Sequence, residues 1–73
     1  MKHEHPNYTL IGRRIKARRK AIHMTQEKLA EHIEMSDKYI SYIELAKKKA
    51  SLTALCRIAK VLNTTLDPLV YGD

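Results

Sequence analysis

Apolar residues along the chain recur at intervals of three and four and nowhere alternate over a strand's length, the signature of helices with one buried face. Ile11, Ile15 and Ile22 mark a first helix, which Asn7 or Thr9 caps and which runs to about Ile22. Thr25 stands immediately before Gln26-Glu27-Lys28-Leu29-Ala30 and reads as the N-cap of a second helix. Glu27 suits the positive end of that helix, but Lys28 at the third helical position leaves the reciprocal capping box incomplete. Leu29, Ala30 and Ile33 give this helix a short inner stripe that ends near Glu34. Ser36 repeats the cap signal, with Asp37 in the first turn, and opens a third helix through about Glu44 with Ile40 and Ile43 facing inward. Ser51 caps a fourth, strongly periodic helix carrying Leu52, Leu55, Ile58, Ala59 and Leu62, and Asn63 is a left-handed stop. Thr64 or Thr65 caps a last short helix with Leu66, Leu69 and Val70, where Pro68 is tolerated because it lies in the first turn. The expected fold is all-α, a compact five-helix bundle spanning residues 7–73. The polar stretch from Met1 to Pro6 is expected to be a flexible N-terminal arm, since Pro6 pushes His5 away from helical angles.

Composition narrows this picture. A length of 73 residues suits one domain with one small core, and two glycines and two prolines are too few for a disordered linker or a series of hairpins. The aromatics are four tyrosines, so the core is built of Leu, Ile and Ala. Fourteen Lys and Arg against eight Asp and Glu leave a net charge of +6, which draws so small a surface toward polyanions without choosing among DNA, RNA and acidic lipid. One cysteine forbids an internal disulfide and argues against a Cys-based zinc site, which fits a reducing compartment. The sequence has no apolar run long enough to span a membrane, and Met1 to His5 lacks the apolar region of a signal peptide, so a cytoplasmic location is expected.

The informative segment is about 26–45: a short helix, a break of a few residues and a second short helix, the helix-turn-helix arrangement. Two helices that cross steeply and closely need a small residue in the middle of the first, and Ala30 supplies it. Their inner faces need apolar residues at fixed offsets, which Leu29, Ile33, Ile40 and Ile43 provide. The second helix must start with a cap and short polar residues, because its N-terminal end meets base edges while its amides meet phosphate.

Four runs in order carry a resemblance. They are Gly12-Arg13-Arg14-Ile15-Lys16-Ala17-Arg18-Arg19; Met24 through Ala30; Tyr39-Ile40-Ser41-Tyr42-Ile43-Glu44; and Ser51-Leu52 with Leu55 and Ile58-Ala59. Together they resemble the Cro/C1-type, XRE-like and lambda-repressor-like, helix-turn-helix family, over roughly Leu10 to Val70. That family includes phage repressors, bacterial regulators, restriction-modification controller proteins and some antitoxins. Two departures stand out. Glu34 takes the place of the usual turn glycine, where a left-handed residue costs on the order of 1 kcal/mol and a differently wound turn is the alternative. The family's Glu-Asn/Arg-Gly-Lys run appears as Glu44-Leu45-Ala46-Lys47.

The resemblance implies a DNA-facing set. Gln26 matches the residue that bonds a backbone phosphate through side chain and amide, and Ser36, Asp37, Lys38, Ser41 and Tyr42 match base readers at the start of the third helix. Lys38 suits guanine O6 and N7; Asp37 either accepts from cytosine N4 or serves only the helix end. Tyr39 is expected to pack its ring and extend its hydroxyl toward phosphate, and Tyr42 to face the groove. Lys47, Lys48 and Lys49 read either as a solvated loop or, from their place after the recognition helix, as phosphate contacts that add affinity without sequence choice. Arg19 and Glu44 resemble a structural salt bridge between the first and third helices, whereas Arg13, Arg14 and Lys16 read as solvated surface.

Other candidates dissolve on inspection. His3 and His5 flank Glu4 without a rigid frame, His23 and His32 lack partners at ligand spacing, and Cys56 reads as a small core filler. With no nucleophile–base constellation, phosphate-binding glycine loop, metal site, cofactor site or substrate pocket discernible, the chain reads as non-enzymatic. The expected function is a sequence-specific, double-stranded DNA-binding transcriptional regulator, a repressor acting as a homodimer on an inverted repeat. Leu66, Leu69, Val70 and Tyr71 are the interface candidates, unless they simply close the core. The alternative is an antitoxin or other protein-interaction module whose DNA binding is secondary.

Overall fold

A computed structural model describes residues 6–72; the expected arm, with His3 and His5, lies outside the described residues apart from Pro6. Five helices follow one another: α1 (Tyr8–Ala21), α2 (Gln26–Ile33), α3 (Asp37–Glu44), α4 (Leu52–Val61) and α5 (Leu66–Tyr71), with no strand among the described residues. The caps lie where short polar residues precede the apolar stripes. Asn7, Thr25, Ser36 and Ser51 each accept a hydrogen bond from the backbone N–H three residues on, satisfying a donor the helix leaves unpaired. Thr65 occupies the N-cap of α5 without a side-chain bond.

The first four helices stop in an unusual common way. His23, Glu34, Ala46 and Asn63 all have φ near +60°, at 59°, 60°, 59° and 59°, although none is glycine. After each, the next N–H reaches back five residues to close the end: Met24 to Arg19, Met35 to Ala30, Lys47 to Tyr42 and Thr64 to Ala59, at 2.8–3.0 Å. The break between α2 and α3 therefore keeps its left-handed winding at Glu34 despite the missing glycine.

One core joins all five helices: Ile11 and Ile15 of α1, Leu29, Ala30 and Ile33 of α2, Ile40 and Ile43 of α3, Leu55, Ile58, Ala59 and Leu62 around α4, and Leu69 of α5. α1 packs on α3 and α5, and α2 on α3 and α4. The α1–α3 crossing is closed at Gly12, where a Cβ would stand 2.6 Å from the Glu44 carbonyl oxygen and closer still to that of Ile43. This is a position where glycine's missing side chain, rather than its backbone freedom, is what matters.

Periodicity misassigned several residues. Ile22 is 45% exposed because it lies past the last turn of α1; the stripe of Ile11 and Ile15 is continued four residues on by Arg19, which is buried. Leu52 is 66% exposed at the open first turn of α4. Cys56 is not a core filler: it is exposed, on a face turned away from Leu55 and Ile58. Nor is Arg14 solvated surface, since its Nη1 donates to the Leu69 and Val70 carbonyls at 3.2 and 2.9 Å and so closes the end of α5. Arg18 does the same for α4 through the Leu62 and Asn63 carbonyls, and Arg57 for α2 through that of Ile33.

Candidate nucleic-acid interface

The third helix stands at the surface on a buried ionic pedestal. Arg19 Nε and Nη2 donate to the two carboxylate oxygens of Glu44 at 2.7 and 3.1 Å, and Arg19 Nη1 donates to the Met24 carbonyl at 2.7 Å. Both side chains are almost wholly enclosed, at 8% and 1% exposure. A planar fork against a carboxylate fixes angle as well as distance, so this pair sets α3 rigidly on α1. Gln26 joins it: its Nε2 donates to Glu44 Oε1 at 2.9 Å. The side chain at the first position of α2 is thereby held in place at the positive end of that helix.

On α3 the inner face is Ile40, Ile43 and Glu44, and Lys38, Tyr42 and Leu45 lie opposite them. The N-terminal end is ordered by its own side chains. Ser36 Oγ accepts from the Tyr39 N–H at 3.1 Å, and Asp37 Oδ1 accepts from the Lys38 N–H at 2.9 Å. The Asp37 carboxylate thus serves the helix end, with its second oxygen left over. Ser36, Asp37, Lys38 and Tyr42 are exposed and Ser41 is half-buried.

The candidate phosphate contacts divide. Tyr39 is half-buried against the core, and its hydroxyl accepts from the Ser51 N–H at 3.3 Å, leaving the hydroxyl proton free to donate outward. Lys48 Nζ lies 6.0 Å from the centroid of the Tyr39 ring, beside α3, whereas Lys49 Nζ lies 5.5 Å from that of Tyr8 at the start of α1. Lys47 is exposed immediately after α3. Lys48 and Lys49 therefore associate with different helices instead of forming one patch.

Of the interface candidates on α5, Leu69 is 1% exposed and belongs to the core, so no partner can reach it. Leu66 and Val70 are half-buried and Tyr71 is 43% exposed, lining a shallow cleft of about 260 Å³ with Pro6, Tyr8 and Leu52. The residue that sequence reasoning missed on the outward face of α3 is Leu45, 57% exposed, whose spacing of seven from Lys38 and three from Tyr42 was the available signal.

A helix-turn-helix family model matches residues 15–69, most of the chain, including α2, α3 and the Arg19–Gln26–Glu44 network. The chain belongs to the Cro/C1-type helix-turn-helix family. Its members are DNA-binding transcriptional regulators, and double-stranded DNA is the partner that membership brings. Among solved structures, it is similar to the P22 c2 repressor in complex with synthetic operator 9T: 33% identity, TM-score 0.83, covering 88% of this chain and 97% of that one. The restriction-modification controller protein C.AhdI from Aeromonas hydrophila shares the fold at 24% identity and TM-score 0.81, over 85% and 94% of the two chains. Hydroxypropylphosphonic acid epoxidase from S. wedmorenis contains a similar unit, at 28% identity and TM-score 0.79, over 86% of this chain but only 34% of the enzyme. No curated protein sequence matches. Against this family's usual pattern, the helix-turn-helix here is wound without its turn glycine and with a leucine directly after the α3 glutamate.

Proposed function

We propose that the protein is a non-enzymatic, cytoplasmic repressor that binds an inverted-repeat operator as a homodimer, with α3 of each protomer in the major groove. The observation that carries this reading is the outward face of α3: a capped helix end bearing Lys38 and Tyr42, held at the surface by the Arg19–Glu44–Gln26 network. In this reading Lys38 donates to guanine and Ser36, Asp37, Ser41 and Tyr42 complete the base-reading set. Gln26, Tyr39, Lys47 and Lys48 hold phosphates, with Lys49 at the margin of the contact.

A single α3 of eight residues is about 12 Å long and reads only a few base pairs. Two copies engaging half-sites roughly 34 Å apart multiply affinity and selectivity, which favours a dimer. The cleft beside α5, with Leu66, Val70, Tyr71 and Leu52, is the surface proposed for it, and burying those apolar groups would supply the association energy.

Selection from a pool of random duplexes tests the reading. A two-fold consensus with a dimer on it in sedimentation is expected. Uniform weak binding that disappears at moderate salt would refute it, and would favour a protein that uses only its positive charge on a polyanion such as RNA or an acidic membrane surface.

A further inference from the structure

We infer that Tyr42 and Leu45 together read thymine 5-methyl groups, so that the operator carries thymines at fixed positions outside the base pair met by Lys38. The inference rests on α3 being the major-groove helix, and it assigns a role to Leu45 that helix position alone would not give. Lys38, Tyr42 and Leu45 are separated by four and three residues and form one stripe, opposite the buried Ile40 and Ile43. Leu45 is the C-cap, but its backbone, with φ −92° and ψ 1°, stays close enough to helical to extend that stripe. Over seven residues the stripe is about 10 Å long, or roughly three base-pair steps at ~3.4 Å each.

The chemistry changes along it. The first position is a cation; the next two are apolar bodies, 41% and 57% exposed. A leucine has no hydrogen bond to offer a base edge, and among the groups displayed in the major groove only the thymine methyl rewards an apolar contact. Helical side chains lean toward the N-terminus, so Leu45 tilts back toward the end of α3 that enters the groove. Lys38 on the stripe, and Lys47 and Lys48 beside it, make the surroundings attractive to a polyanion and unfavourable to a cationic partner, which selects DNA as the occupant of this apolar face.

The test replaces thymine by uracil, one position at a time, in the consensus duplex recovered by selection; this removes a methyl group and nothing else. Wild-type protein should lose about fourfold in affinity at each methyl that Tyr42 or Leu45 covers, the loss expected for one methyl group returned to water. Leu45→Ala should abolish the uracil effect at one position and Tyr42→Ser at another, and both variants should fold because both sites are exposed. A consensus without thymine in its half-sites, wild-type affinity unchanged by uracil, or Leu45→Ala weakening every duplex alike with its uracil sensitivity intact would each overturn the inference while leaving the DNA reading standing. Failure to recover any consensus would sink the DNA reading, and this inference with it.

Discussion

Glu44 places a carboxylate where almost no water reaches it, and the cost of doing so is met by three charge-directed or polar donors from Arg19 and Gln26. Removing one partner leaves the other charge buried and unmatched. Arg19→Ala and Glu44→Ala should each therefore lower stability by about 3 kcal/mol, read from urea denaturation, with the double variant costing far less than the sum. Glu34 makes the opposite case. Its φ of 60° crowds its own Cβ, so Glu34→Gly should stabilise the fold by about 1 kcal/mol and raise Tm by roughly 4–8 °C in thermal unfolding. No change, or a loss, would mean that the Glu34 side chain makes up for its strained backbone. The sequence raised the question of this turn but could not answer it, because the cost of one left-handed residue is small beside the packing of Leu29 and Ile33 on Ile40.

At the scale of elements, the contact that fixes α3 is the bare backbone of Gly12 against the last carbonyls of that helix. Gly12→Ala must push α1 and α3 apart. We expect a loss of about 2 kcal/mol in denaturation, together with weaker DNA binding, since Arg19 and Gln26 would no longer meet Glu44 squarely. α5 depends on Arg14 in a different way: two of its end carbonyls are satisfied by one guanidinium from α1. Arg14→Ala should cost about 1–2 kcal/mol and speed amide hydrogen exchange in α5 before any other helix. An α5 protected as before would show that Leu69 alone holds it. The starts of α2, α3 and α4 were legible from Thr25, Ser36 and Ser51, since such a cap is satisfied within a single turn; α1 and α5 each offered two candidates, of which Asn7 and Thr65 hold the place, Thr65 without a side-chain bond. The closures made by Arg14, Arg18 and Arg57 were not, because their acceptors lie 24 to 56 residues away.

For the whole molecule, the net charge is +6, and part of the positive charge, on Arg14, Arg18 and Arg57, is engaged at helix ends within the fold. Binding should fall steeply with salt, and each lysine that touches a phosphate should contribute a slope of about one in a plot of log affinity against log salt concentration. Lys48→Ala is expected to reduce that slope by about one while leaving sequence preference unchanged, whereas Lys38→Ala should alter the preference. Lys49→Ala, whose ammonium lies over Tyr8, should change the slope less than Lys48→Ala. Equal effects from the two lysines would show that the loop rearranges on DNA.

Taken by itself, the chain's order of residues determined the helices, the starts of the three central ones, the left-handed stop at Asn63 and the family, because each depends on neighbours within a turn or on spacing that folding preserves. Only the tertiary structure decided which face of each helix is covered. It buried Arg19 and Leu69 and exposed Cys56, Leu52 and Leu45, because a helix's own periodicity defines a stripe but its partners decide how far around and how far along that stripe the cover extends. The resemblance had already paired Arg19 with Glu44; the tertiary structure added Gln26 to that pair, since groups 18 residues apart meet only after the core has set α1, α2 and α3 together.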